Sequence, residues 1–458
     1  MSPAKTSDYG RGAALLSFGI GVTGLVTFAF FAIASQTLSQ EQYGEIGLLW
    51  SVVFMVTPVF YRPVEQLLAR TIAERRARAQ ALARPLRIAA VIQLSLGLLF
   101  AALALGFRGA FEDNLLDGND TLYWIMFWSV LAYAVSYFGR GLLAGTQRFG
   151  LYGLLVFIEA TTRIIFPISV AAGLAGGQDV VALGILAGPL VSLFVVPLAL
   201  TGRRRAQREA TIDRRSVAEQ ADAAAAGEAR LDAASSGGAR EEAEFRLSEG
   251  GGFALAALVM MACEQTILNA APIIAKGTSG GAVAAASVIN ILIIARAPMQ
   301  LFQSVATSLL PHLAKLRADR DFKTYRRSVN LTLAAIAGFA AATVAVMLAI
   351  GPWLMQTVFG DEYLYDRTGL ALIGVGMGIY LCAATLNQTA LAARRAAVAT
   401  ACWLVATAAF LIWMLTPIVE DPLHRVEIGY PLSALLLFGG LFAVYRTGTP
   451  KAATSAGD

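Results

Sequence analysis

Residues 151–174 read LYGLLVFIEATTRIIFPISVAAGL. The run holds only two charged side chains, Glu159 and Arg163. At 1.5 Å per residue, a helix of this length spans about 36 Å, enough to cross the roughly 30 Å hydrocarbon core of a bilayer. A barrel strand needs only about 10 alternating residues, so run length selects a helix. Working outward, twelve such runs cover 13–35, 46–68, 86–107, 121–145, 151–174, 179–201, 251–275, 282–311, 329–351, 368–391, 397–418 and 427–446. Polar residues interrupt the second, eighth and tenth. Composition agrees: 57% of the 458 residues are hydrophobic and 15% charged, against about 25% charged in a soluble domain. So much apolar surface cannot be hidden inside soluble domains of ordinary size. The expected fold is all-α membrane, with about twelve transmembrane helices. This composition argues against nucleic-acid binding, a secreted disulfide scaffold and a soluble cofactor enzyme.

Charge placement gives the orientation. With the N-terminus cytoplasmic, 28 of the 36 lysines and arginines fall in inside segments, four in outside loops and four within spans. Cytoplasmic loops carry the basic excess, so both termini are expected inside. The outer loops are acidic instead, with Glu112, Asp113, Asp117 and Asp120 in one and Asp361, Glu362 and Asp366 in another. The net charge of +5 therefore reflects topology and needs no polyanionic partner. Lys5 and Arg11 precede an apolar run too long for a signal peptide, so 13–35 is read as a retained span. Cys263, Cys382 and Cys402 sit in apolar stretches without metal-ligand spacing, and His312 and His424 fall at helix ends or in loops.

Residues 202–250 differ from the rest. They open with Arg203-Arg204-Arg205, continue through Ala-rich mixed-charge sequence, and end in Gly250-Gly251-Gly252. With almost no large apolar residues they cannot bury a core, and a disordered cytoplasmic linker is predicted. It serves as a tether, as a docking segment for a partner, or as a lipid contact through the basic triplet. It divides the chain into an N-terminal six-helix lobe, 1–201, and a C-terminal one, 251–446, followed by a cytoplasmic tail, 447–458. The halves echo one another. Leu142-Leu143-Ala144-Gly145-Thr146-Gln147-Arg148 joins spans four and five, and Thr389-Ala390-Leu391-Ala392-Ala393-Arg394-Arg395 joins spans ten and eleven. Both halves begin inside, so the lobes form a parallel pseudo-repeat, a transporter signature with its site between the halves.

Three strings carry a family resemblance: LSQEQYGEIG at 38–47, GLLAGTQRF at 141–149 and VFGDEY at 358–363. In order and position the chain resembles polysaccharide-unit flippases, which are polysaccharide biosynthesis proteins of the multidrug/oligosaccharidyl-lipid/polysaccharide (MOP) exporter superfamily. The resemblance covers roughly 10–200 and 250–446. It implies two six-helix lobes around a central cavity. It also implies movement of a polyprenyl-pyrophosphate-linked saccharide from the inner to the outer leaflet of a bacterial cytoplasmic membrane, by alternating access, for cell-envelope polysaccharide assembly. The long charged linker departs from the shortest family members, and with the resemblance it implies a contact for polysaccharide-assembly proteins at 202–250.

Charges inside spans are costly and face protein or water. Glu159 and Arg163, four residues apart, share a helix face, and Arg163 lies about 18 Å along its span. They form either a mutual ion pair or a cavity site where Arg163 meets pyrophosphate. Asn290, Arg296, Gln300 and Gln303 recur at near-helical spacing beside Pro298, a stripe that lines a cavity or bonds helix to helix. Glu264, near Gln265 and Asn269, is either the counter-ion of Arg296 or a titrating carboxylate that couples a proton or sodium ion to transport. Arg62, beside Pro63 and Glu65, greets phosphate at the entrance or snorkels, and Arg140 is read as snorkelling. Asn387, with Gln388, lines the cavity mouth or bonds within the protein. Guanidinium suits the anionic cargo because it forms bidentate charge-assisted bonds to phosphate.

Two rivals remain. A cation-coupled multidrug antiporter of the same fold would favour cavity carboxylates, usually with one in span one; 13–35 has none, but Glu264 keeps the reading open. A membrane glycosyltransferase or polymerase would want a sizeable outer domain. The outer loops are short, and no phosphate loop, zinc cluster or nucleophile elbow is convincing. No enzyme, cofactor, metal or nucleic-acid partner is expected.

Overall fold

Ser39 starts the first long helix. Its hydroxyl accepts from the Gln42 amide while the Gln42 side chain reaches back to the Ser39 N–H, a complete capping box. The computed structural model describes residues 21–78, 80–197, 247–294, 296, 322–393 and 395–448. Among them are twelve helices: α1 (Gly21–Thr37), α2 (Gln40–Ala77), α3 (Ala83–Gly106), α4 (Asp120–Gly145), α5 (Phe149–Ala171), α6 (Gln178–Ser192), α7 (Leu247–Ala275), α8 (Gly281–Ile294), α9 (Phe322–Phe359), α10 (Arg367–Ala392), α11 (Ala396–Leu415) and α12 (Pro422–Gly448). Ten of these regions are long and apolar enough to cross a membrane, and the described parts of α1 and α8 are shorter. A helical turn at Arg108–Glu112 and a π-turn at Lys276–Gly280 lie in connections.

The apolar runs understate two helices. α2 and α9 each have 38 residues, against expectations of 46–68 and 329–351. The capping box begins α2 earlier, and charged turns with i,i+4 support such as Arg70–Glu74 carry it past the membrane-length segment. α7 begins at Leu247, so the last residues assigned to the linker are helical; glycine weakens a helix without forbidding it. The remainder of the linker and its predicted disorder, the start of span one, the rest of span eight with Gln300, Gln303 and His312, and the tail beyond Gly448 lie outside the described residues.

The helices assemble into two lobes with a parallel pseudo-repeat. In the first, α2 packs on α4 and α3, and α6 on α5 and α4. In the second, α10 packs on α12 and α9, and α11 on α12 and α7. α2 crosses from one lobe to the other to contact α7. Leu94 and Leu98 of α3, and Leu404 and Val405 of α11, stay exposed, as lipid-facing residues would. Proline recurs within the helices, at Pro58 and Pro63 in α2, Pro167 in α5 and Pro272 in α7. Each removes one N–H and so leaves the carbonyl four residues earlier without its ladder partner.

Candidate functional site

Between the lobes lies a cavity of about 330 Å³. α2 contributes Trp50, Phe54, Arg62 and Glu65, and α4 contributes Tyr133, Tyr137 and Arg140. α5 adds Tyr152, Glu159 and Arg163. Steps of four and three set Tyr133, Tyr137 and Arg140 on one face of α4, and steps of seven and four set Tyr152, Glu159 and Arg163 on one face of α5. The second lobe supplies Glu264, Gln265 and Asn269 from α7, and Arg296 beyond the described end of α8. α1 walls the seam with Thr23, Thr27, Phe28 and Phe31. Four arginines and three glutamates therefore face one small volume.

Glu159 organises the first lobe's charges. Arg140 Nη2 lies 2.5 Å from Glu159 Oε2, and Arg163 Nη2 lies 3.3 Å from Oε1. Ser136 also donates to Oε2, at 3.2 Å. Arg163 donates to the Tyr133 hydroxyl at 2.6 Å. Its guanidinium lies 4.8 Å from the Trp50 ring centroid and 5.2 Å from that of Phe54, cation–π contacts with two rings that stack on each other. The Glu159–Arg163 pair expected from spacing exists, but the shorter contact belongs to Arg140. Arg140 does not snorkel; its side chain is 12% exposed and bound to a carboxylate. The docking of α4 on α5 brings this about, and the sequence of neither helix reports it.

Arg296 is held by neutral acceptors, the Leu268 carbonyl and Asn269 Oδ1, the latter at 3.1 Å. Leu268 is four residues before Pro272, so its carbonyl has no helical N–H to accept from; the guanidinium occupies that place. Asn269 is itself held to Gln265 at 3.1 and 3.2 Å. Glu264 is not the counter-ion of Arg296. It accepts from the Tyr380 hydroxyl at 3.0 Å and joins none of the ion pairs among the described residues. Glu65 accepts from Tyr152 at 2.9 Å. Arg62 is exposed within the cavity lining and makes no ion pair with a described carboxylate. Glu264 from the opposite lobe and nearby Glu65 are the acids that influence it electrostatically.

Of the residues singled out from sequence, Arg62, Glu159, Arg163, Glu264 and Arg296 meet at the cavity. Asn290 does not: it is fully buried and accepts a hydrogen bond from the Tyr43 hydroxyl of the other lobe. Asn387 turns to Trp403, whose indole N–H donates to it at 3.2 Å. Gln300 and Gln303 lie outside the described residues. Sequence reasoning missed the aromatic lining of Trp50, Tyr133, Tyr137 and Tyr152; the available signal was helical spacing, with Tyr133 and Tyr137 seven and three residues before Arg140 and Tyr152 seven before Glu159. Among the described residues no group of three histidine, cysteine, aspartate or glutamate side chains is placed to hold a metal ion.

No family model matches the sequence, and no curated protein matches it significantly. Solved structures resemble nearly the whole chain. A multidrug resistance MATE family transporter of the MOP superfamily, in an inward-facing conformation, is 13% identical, with a TM-score of 0.71 over 97% of this chain and 100% of that one. A MATE transporter of Vibrio cholerae is 13% identical, with a TM-score of 0.62 over 97% and 98%. A MOP superfamily transporter from Pyrococcus furiosus, described as having a binding pocket of reverse polarity that suggests a different function, is 14% identical, with a TM-score of 0.62 over 96% and 95%. At these identities the likeness shows the fold. The chain has the two-lobed helical architecture of these solved structures.

Proposed function

We propose that this protein is an alternating-access transporter of an anionic amphiphile, with a polyprenyl-pyrophosphate-linked saccharide as the cargo class. Arg62 carries the reading. It is an exposed guanidinium that makes no ion pair with a described carboxylate, in a cavity where arginines outnumber glutamates. An unpaired guanidinium in a partly dehydrated space is a strong phosphate ligand. Arg296, bound only to neutral acceptors, keeps its positive charge available from the second lobe. Tyr137 and Tyr152 on the cavity wall offer rings and hydroxyls that suit sugars. The basic inside segments support a cytoplasmic opening and cytoplasmic termini in a bacterial inner membrane.

A second reading, an ion-coupled multidrug antiporter, has its own support. Two of the solved structures above are MATE transporters, one of them described as a multidrug resistance protein, and fold likeness backs this reading better than it backs saccharide export. Glu264, hydrogen-bonded but not ion-paired, is the carboxylate that would carry a proton or sodium ion. Equilibrium binding separates the two. The purified full-length protein is titrated with a polyprenyl pyrophosphate and, separately, with a lipophilic cation. Saturable binding of the diphosphate lipid, weakened about tenfold or more by Arg62→Ala, is the expected result. Saturable binding of the cation alone, indifferent to Arg62 and lost in Glu264→Gln, would transfer the assignment to the antiporter.

A further inference from the structure

The end of the bundle formed by the acidic loops is shut by contacts that pass from one lobe to the other. Gln36 of α1 donates to the Thr357 and Val358 carbonyls of α9, at 3.1 and 2.9 Å. These are last-turn carbonyls, which a helix leaves without internal donors. Gln40 donates to the Glu362 carbonyl at 3.2 Å. Lys276 reaches across to Asp117 Oδ2 at 2.6 Å and the Leu115 carbonyl at 2.7 Å. The Tyr43 hydroxyl donates to Asn290 Oδ1.

The tightest point is steric. A Cβ on Gly44 of α2 would stand 1.9 Å from the Ala282 carbonyl oxygen and 2.5 Å from its carbon. One on Gly47 would stand 3.1 Å from the Ile289 side chain. The Ala282 atoms are backbone, so a side-chain rotation cannot relieve the clash and the helices themselves must move apart. The seal is also incompletely satisfied, since the Tyr363 hydroxyl is buried without a hydrogen-bond partner among the described residues. Orphaned polar groups cost free energy in the closed arrangement and recover it in water. A contact that is bare at glycine, polar at its rim and imperfectly paired suits a seam that opens and closes.

We infer that Gly44, with the adjoining Tyr43–Asn290 bond, is the outer gate, and that the absence of a side chain at Gly44 is what permits the state closed at this end. The inference rests on the transport reading, because it requires a second state open at this end. Gly44→Ala then drives the lobes apart here and together at the basic end. Tyr43→Phe, which removes one hydroxyl and no volume, shifts the balance the same way but less.

The test is distance measurement between spin labels in full-length protein in lipid nanodiscs, with Cys263, Cys382 and Cys402 replaced by alanine. One label pair, Asp113→Cys with Glu420→Cys, spans the acidic end; another, Arg78→Cys with Lys323→Cys, spans the basic end. The expected result is a closed-end population at least about tenfold lower in Gly44→Ala, with a shorter distance at the basic end and a partial shift in Tyr43→Phe. If the parent protein shows two populations at each end and both substitutions leave them unchanged, the gate assignment is wrong. If parent and variants all show one unmoved population at both ends, the transport reading falls with it.

Discussion

Glu159 and Arg62 are both charged, both in the cavity, and opposite in what holds them. Glu159 neutralises two guanidiniums in a site almost closed to water. Replacing it by glutamine leaves buried positive charge uncompensated, a change that typically costs about 3–5 kcal/mol. Glu159→Gln is therefore expected to lower the thermal unfolding temperature sharply, measured on the purified protein in detergent. Arg62 makes no ion pair among the described residues. Arg62→Ala is expected to change stability within about 0.5 kcal/mol while abolishing anionic cargo transport. An equal stability loss in both variants would mean that Arg62 is structural. The sequence disclosed Glu159 and Arg163 because their partnership is local, four residues on one helix. It concealed the role of Arg140 because its partner lies on the next helix, and it misdirected Asn290 because depth in a span does not say which way a side chain turns.

At the scale of the helices, glycines and prolines do the positioning. Pro167 frees the Arg163 carbonyl, and a Cβ on Gly184 of α6 would stand 2.7 Å from that oxygen. A Cβ on Gly188 would stand 2.9 Å from the Glu159 carbonyl. α6 thus lies directly against the α5 turns that carry both charges. Gly188→Ala is expected to destabilise the first lobe by about 1–3 kcal/mol through overpacking, read as a lowered melting temperature, with Gly150→Ala as a control because open space surrounds that position. Ser39→Ala removes the capping box of α2 and is expected to cost about 0.5–2 kcal/mol. The existence and order of the helices were legible from apolar run length. Their ends were not, because α2 and α9 continue as charged helices beyond the apolar stretch that a hydropathy window detects.

Across the whole molecule, the two lobes were legible in the order of the apolar runs, and the distribution of lysine and arginine is what predicts their sidedness. The closed end was not legible, since its contacts join residues as far apart as Gln36 and Val358, 322 positions along the chain. Only docking of the lobes reveals that Asn290 belongs to a seam and Arg296 to a cavity. The central claim is that this cavity accepts an anionic head group and carries it across. A leaflet-exchange assay in proteoliposomes, with purified polyprenyl-pyrophosphate-linked saccharide, a neutral analogue and a lipophilic cation, tests it most directly. Selective movement of the diphosphate lipid, lost in Arg62→Ala and strongly reduced in Arg296→Ala, is the predicted result. Movement of the cation but not the diphosphate lipid, unchanged by either substitution, would contradict it.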